Sequence, residues 1–208
     1  MKQAMLLDLD NTIYPVSSIA NHLFKSLFEL LDEYAHEMDS ENLHKAKYEL
    51  TRRPYQFVAN QFSFSAAHKT RGITLLRNIT YDLPMEPYDG YALLKTAPVK
   101  KFLVTTGFKK LQWSKIKMLN IENDFDEIHI VDPEVSPGTK KDVFEDIMKR
   151  HHYLPADVLV VGDDPESEIK AGVELGIETF LFDPDDKQPN AIVTFKGSHL
   201  KKVLHHII

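Results

Sequence analysis

Hydrophobic positions along this chain follow two rhythms, and the change between them divides it. The opening run Met5-Leu6-Leu7 leads into Asp8-Leu9-Asp10. An unbroken apolar run that stops at a turn is the pattern of a strand buried on both faces. From residue 16 to residue 84 the rhythm is helical. Ser17 or Ser18 can cap a helix that carries Ile19, Leu23, Leu27, Leu30 and Leu31 on one stripe. A second helix starts at Asp39 or Ser40 and is stopped by Pro54. An aromatic, mostly helical segment then runs from Tyr55 to Tyr81, ended by Asp82-Leu83-Pro84, with no convincing strand anywhere in this stretch.

From Pro87 onward strands and helices alternate. Helices are expected over 88–95, 111–119, 139–150 and 166–175, and strands over 101–105, 127–131, 158–161 and 179–182. An edge strand at 192–195 and a helix at 200–207 would close the chain. Such alternation makes a parallel sheet with helices on both faces. The expected fold is therefore α/β, a doubly wound parallel sheet built from residues 1–15 and 85–208, with a helical insertion over 16–84.

Composition changes this picture little. The chain has 208 residues, 43% hydrophobic and 27% charged, enough for a packed core. Its formal net charge of -6 argues against nucleic acid or an anionic membrane surface as the main partner. The absence of cysteine excludes disulfide and thiolate chemistry. No apolar run approaches the roughly 20 residues of a membrane span, and Met-Lys passes into the first strand without a cleavage-site pattern. The expected setting is a soluble protein of a reducing cytoplasm.

Candidate chemistry collects where the strands end. Asp8 and Asp10, two apart on an extended chain, point to the same side. Two buried like charges need an opponent, and Mg²⁺ with its preference for oxygen ligands is the usual one. Asp-x-Asp-Asn is also ordinary turn and capping chemistry. Thr105-Thr106-Gly107 offers a hydroxyl and successive amides, which can cradle an anion or merely shape a turn. Lys140 and Lys141 open a helix whose dipole disfavours cations, so either could answer a phosphoryl group or be part of a solvated pair. Gly162-Asp163-Asp164-Pro165 ends a strongly apolar strand, with Glu166 and Glu168 following as metal-site acids or as a capped helix start. In a doubly wound sheet these tips share one crevice. The ten histidines, including His151-His152 and His205-His206, show no metal-ligand spacing and are expected at the surface.

Taken in order, Asp8-Leu9-Asp10-Asn11-Thr12, Thr105, Lys140 and Gly162-Asp163-Asp164-Pro165-Glu166-Ser167-Glu168 resemble the four motifs of the haloacid dehalogenase-like hydrolase superfamily. The insertion resembles that superfamily's helical type 1 cap, and Asn11-Thr12-Ile13-Tyr14-Pro15 is similar to the opening of its pyrimidine 5′-nucleotidase-like branch. The resemblance implies Asp8 as nucleophile and Asp10 as the acid that protonates the leaving oxygen. It implies Thr105, Thr106 and Gly107 around the phosphoryl oxygens and Lys140 as the countercharge, its spacing to Val143, Phe144 and Ile147 fitting the motif better than Lys141's. Mg²⁺ would be held by Asp8, Asp163 and the backbone carbonyl of Asp10, with Asp164 and Glu168 behind them. Thr106 stands where asparagine is common in the family, and Glu168 where aspartate is.

What is implied, then, is a Mg²⁺-dependent phosphatase of a small phosphomonoester such as a nucleoside 5′-monophosphate. Asp10 separates it from a dehalogenase, which has no alcohol to protonate. The alternatives are a phosphomutase on the same scaffold, a receiver-like signalling domain, or a non-catalytic phosphate-binding module. A receiver needs no insertion and carries its phosphorylated Asp on a central strand rather than on the first one in the chain. The insertion would choose the substrate, with Arg52, Arg53, Tyr55, Phe57, Phe62, Phe64, His68, Lys69 and Arg71 as candidate contacts.

Overall fold

The computed structural model describes residues 1–135 and 138–207. Its sheet contains β1 (Ala4–Leu7), β2 (Lys100–Thr106), β3 (Glu127–Val131), β4 (Val158–Gly162), β5 (Glu178–Phe182) and β6 (Phe195–Gly197). The strands are all parallel, in the order β3-β2-β1-β4-β5-β6. The first strand is thus central, and the chain winds outward from it in both directions.

Alternation along each strand assigns side chains to two apolar layers. Leu6, Phe102, Val104, Val158 and Val160 pack on one face with Phe144 and Ile147 of α8 (Lys140–His151). Met5, Leu7, Leu103, Leu159, Val161 and Phe180 face the other way, into a larger layer shared with the helices inserted after β1. Burial on both faces explains why these strands read as continuous apolar runs.

Between β1 and β2 lie α1 (Ala20–Leu23), α2 (Lys25–Glu33), α3 (Ser40–Leu50), α4 (Tyr55–Gln61) and α5 (Ala66–Asn78), before α6 (Tyr91–Leu94) returns the chain to the sheet. No strand occurs over 16–84 among the described residues. Leu27, Leu30 and Leu31 are buried along α2, as their spacing predicts. Asp39 caps α3 by accepting from the Asn42 amide at 2.8 Å, and Ser65 caps α5 by accepting from the His68 amide at 3.2 Å.

Five elements depart from the expected pattern. The first inserted helix is broken: Val16–Ser18 is a 3₁₀ turn, α1 and α2 are separated at Phe24, and neither Ser17 nor Ser18 caps a helix. The helix expected over 88–95 begins only at Tyr91, because Gly90 adopts a φ of 93°. The one expected over 166–175 is interrupted: Pro165–Ile169 forms a widened turn in which Ser167 leaves helical dihedrals, and α9 spans only Lys170–Glu174. The edge strand expected at 192–195 lies further on, at Phe195–Gly197. Just before it the Thr179 and Thr194 amides each donate to the other's hydroxyl, at 3.1 and 3.2 Å. The final helix is a run of 3₁₀ turns, Leu200–His206. No helix among the described residues is long and apolar enough to cross a membrane.

Candidate active site

A parallel sheet that winds both ways from its first strand leaves a crevice beyond the carboxyl ends of β1 and its neighbours. β1 stops at Leu7, and the Asp8 amide donates to the Val161 carbonyl at 3.0 Å, which locks the strand end to β4. The chain then doubles back. Ile13 donates to the Leu9 carbonyl at 2.9 Å, and Asn11 takes a φ of 56° in the turn. Asp8 and Asp10 thereby face one cavity of about 560 Å³, together with Thr105, Thr106, Gly107, Lys140, Asp163, Asp164 and Glu168. The strand tips singled out in the sequence meet at one place.

At its centre is a chain of charges. Lys140 Nζ lies 2.6 Å from Asp8 Oδ1 and 2.7 Å from Glu168 Oε2. Thr12 Oγ1 lies 3.4 Å from both Asp8 Oδ2 and Asp163 Oδ1. Asp8, Lys140 and Glu168 are 6%, 7% and 1% exposed, so water screens these charges little. Lys140 enters because the Thr139 hydroxyl and the Asp142 carboxylate cap the start of α8 reciprocally, fixing its first turn over the sheet. Lys141 instead pairs with Glu174 on the surface at 3.0 Å. Glu168 reaches inward from the widened turn and accepts from the Asp164 amide at 2.7 Å. A Cβ on Gly162 would come within 2.1 Å of its Oε1, so glycine is what lets this carboxylate in.

Negative charge exceeds positive in this cluster. Burial pushes the Asp8 carboxyl up to about 7 against the pull of Lys140, with Glu168 and Asp10 adding repulsion. Burial and the neighbouring carboxylates push Asp163 well above the ordinary range, and burial with Glu168 raises Asp164. Burial works against the Lys140 ammonium, but Asp8 and Glu168 outweigh it and hold it charged. One oxygen each from Asp8, Asp163 and Glu168 lie within 4.8 Å of one another. Such a set, all oxygen and over-rich in negative charge, suits a hard divalent cation such as Mg²⁺. Both Glu168 oxygens are held at 2.7 Å, by Lys140 and by the Asp164 amide, whereas Asp8 Oδ2 and Asp163 Oδ1 meet the Thr12 hydroxyl at 3.4 Å, so Asp8 and Asp163 are the side chains whose oxygens are most easily given to a cation.

Asp10 stands in different company. Its carboxylate takes Lys115 Nζ at 2.8 and 3.1 Å, Gln112 Nε2 at 2.8 Å and the Tyr14 hydroxyl. Burial acts to raise its pKa, but Lys115 and these hydrogen bonds prevail and hold it below the ordinary value. With its side chain so occupied, Asp10 could reach a metal only through the backbone carbonyl. Gln112 and Lys115 belong to α7 (Lys109–Met118), and the sequence reading passed over both. A signal was present: in Leu111-Gln112-Trp113-Ser114-Lys115-Ile116 the two polar residues share the buried stripe with Leu111 and Ile116. Gln112 Nε2 also donates to Thr105 Oγ1 at 2.7 Å and to the Thr106 carbonyl at 3.3 Å. The Gly107 amide is committed to the Val131 carbonyl at 3.1 Å. What Gly107 contributes is its φ of 152° and room for Gln112, whose Cδ would lie 3.0 Å from an added Cβ.

Of the candidate contacts from the insertion, Arg52, Arg53, Tyr55 and Phe57 line the cavity. His68 does not; it is buried between the rings of Phe64 and Tyr34, at 4.1 and 4.4 Å. Lys69 is bonded to Asn60 and Arg71 to Glu33 at the surface, and Phe62 packs against the apolar layer that the inserted helices share with the sheet. The group of potential metal ligands among the described residues contains no histidine.

A family model described as haloacid dehalogenase-like hydrolase matches residues 2–176. A glyceraldehyde 3-phosphate phosphatase from Pyrococcus furiosus is 22% identical over 192 residues, 86% of this chain and 80% of that protein. Among solved structures, a haloacid dehalogenase-like family hydrolase from Streptococcus pneumoniae aligns over 100% of this chain and 99% of its own, with a TM-score of 0.72 and 16% identity. The HAD hydrolase YfnB from Bacillus subtilis, in a magnesium-bound crystal form, aligns over 99% and 98% with a TM-score of 0.64 and 18% identity.

Proposed function

This chain belongs to the haloacid dehalogenase-like hydrolases, and we propose that within that family it is a Mg²⁺-dependent phosphatase acting on a small phosphomonoester through an aspartyl-phosphate. The observation that carries this reading is the buried Asp8–Lys140–Glu168 chain beside Asp163, with Asp10 facing the same cavity. Asp8 Oδ attacks phosphorus while the bond to the leaving oxygen breaks, and Asp10 gives that oxygen a proton. A phosphate dianion bound beside Asp10 adds negative charge and raises its hold on that proton. Water then attacks the phosphorus, passes a proton to Asp10, and releases orthophosphate from Asp8.

Lys140 offsets the charge that accumulates on Asp8 and the phosphoryl oxygens, and Thr105 with the Thr106 amide orients those oxygens. Mg²⁺, held by Asp8, Asp163 and the Asp10 carbonyl, would supply the charge neutralisation that lets a carboxylate approach an anionic phosphate. The helices between β1 and β2 act as a cap that closes the cavity over substrate. A nucleoside 5′-monophosphate, its base laid on Tyr55 or Phe57, is one substrate to assay. The likeness to the Pyrococcus furiosus enzyme makes a triose phosphate another.

The test is phosphate release from p-nitrophenyl phosphate with Mg²⁺. Asp8→Asn should lower kcat at least about 10⁴-fold and abolish acid-stable labelling of the protein by phosphate. Turnover by Asp8→Asn at the wild-type rate would overturn the assignment.

A further inference from the structure

The cavity that holds the carboxylate cluster is lined by two unlike surfaces. One is the strand-tip machinery. The other comes largely from the inserted helices and presents Val16, Phe24, Leu27, Leu50 and Leu76, with Leu111 of α7 beside them. The volume of about 560 Å³ falls within the range of small-molecule sites and far exceeds what orthophosphate needs. Cations on the inserted side stand toward the acidic end. Arg52 also lines a recess of about 110 Å³ shared with Asp163 and Asp183. Arg53 is tied to Glu49 at 3.1 Å, lies over the Phe57 ring at 4.8 Å, and draws down the proton affinity of Asp164. The Tyr55 hydroxyl is spent on the His68 carbonyl at 3.0 Å.

The phosphoryl group has to sit against Asp8, and Asp10 has to meet the leaving oxygen, so the alcohol half of the substrate extends into the remaining space. That space is walled mostly by hydrocarbon, with Thr51 and Gln56 as the uncharged polar side chains among the inserted residues that line it. A substrate hydroxyl there gives up water and finds few partners, an arrangement that discriminates strongly against it. A methylene placed there gains about fourfold in affinity. We propose that the leaving alcohol is a ring-bearing, mostly apolar group, and that the enzyme selects such phosphomonoesters over polyol and sugar phosphates. This rests on the phosphatase reading and narrows it to a substrate class.

The experiment compares kcat/KM of the full chain with Mg²⁺ on acetyl phosphate, benzyl phosphate, ethyl phosphate, glycerol 1-phosphate and 3-phosphoglycerate. The benzyl, ethyl and glycerol leaving alcohols are similar in basicity, so differences among them report the pocket. Benzyl phosphate should exceed glycerol 1-phosphate at least tenfold, with ethyl phosphate between them. Leu76→Gln should reduce the benzyl-to-glycerol ratio at least fivefold. That ratio is unaffected by any loss of folded protein, which lowers both rates alike. Turnover of acetyl phosphate with glycerol 1-phosphate or 3-phosphoglycerate equal to or above benzyl phosphate overturns the inference and leaves the phosphatase standing. An unchanged ratio in Leu76→Gln also overturns it. Failure to hydrolyse any of the five, acetyl phosphate included, overturns the phosphatase reading and this inference with it.

Discussion

The two walls of the cavity are organised on opposite principles. On the sheet side nearly every polar group has a named partner: Lys140 bridges Asp8 and Glu168, Lys115 and Gln112 hold Asp10, and Gln112 also holds Thr105. These residues stand at strand ends or on helices packed against the sheet, where the backbone is immobilised by the ladder. On the inserted side the lining is mostly hydrocarbon, and its polar members are Thr51, Arg52 and Arg53 of the connection between α3 and α4 and Gln56 in the first turn of α4. Reacting groups need placement within about half an ångström, which a rigid scaffold supplies. Shape selection needs only a fitting surface, which a helical segment can vary without disturbing the chemistry.

That contrast is broken most directly by attacking the sheet side. Removing divalent metal with EDTA should reduce turnover at least about 10³-fold, and Mg²⁺ should restore it. Asp163→Asn should leave little activity at any Mg²⁺ concentration and should weaken Mg²⁺ binding measured by calorimetry. Insensitivity to chelator would show that the acidic cluster has another purpose. Lys140→Met leaves Asp8 and Glu168 buried without their cation. It should destabilise the protein by about 3–5 kcal/mol in denaturant titrations and lower kcat by roughly 10²-fold or more. An unchanged unfolding midpoint would mean that the carboxylates take up protons freely instead.

Lys115→Met sharpens the comparison on the same side. Lys115 touches Asp10 and is 3% exposed. We expect kcat to fall roughly 10- to 100-fold with KM little changed, because Lys115 positions a group that acts only during the reaction. A rise in KM alone would move Lys115 to the binding of substrate.

The smallest effect belongs to the inserted helices. Burial lowers the pKa of His68, which is stacked between Phe64 and Tyr34, with Glu37 3.8 Å from its Nδ1 acting the other way. A depressed histidine pKa means that the unfolded chain takes up the proton first. Its contribution is therefore intact above pH about 6.5 and is lost as pH falls below it. Between pH 7.5 and 5.5 the wild type should lose Tm relative to His68→Phe, because only the wild type has a proton to take up on unfolding at this position. Parallel melting curves for the two proteins would show that His68 does not titrate in this range.

Much of the core was legible because local signals carry it. The strand runs, the Asp39 cap and the acidic strand tips are short-range patterns that appear where their residues predict. So does the Leu27-Leu30-Leu31 part of the first stripe, although its helix breaks at Phe24 and leaves Ile19 and Leu23 outside α2. Before α9 the helical pattern runs on without a break and hides the turn by which Glu168 swings inward. His68 and Phe64, read as possible substrate contacts, are core residues of the insertion. Aromatic and basic side chains near a site look alike in sequence whether they face a ligand or one another.

From its sequence alone this chain determined an interrupted doubly wound sheet and the gathering of Asp8, Asp10, Thr105 and Asp163 at the tips of its strands. Periodicity and strand-end position are properties of neighbouring residues, and they can be read without knowing what packs where. Tertiary structure carried Lys140, which its spacing along the helix already favoured over Lys141, to Asp8 across 132 positions, and it alone decided that Lys115 and Gln112 hold Asp10 across 105 and 102. It also decided which apolar side chains wall the cavity and which fill the core. A charge finds its partner through space, and only the packed sheet brings those positions within reach.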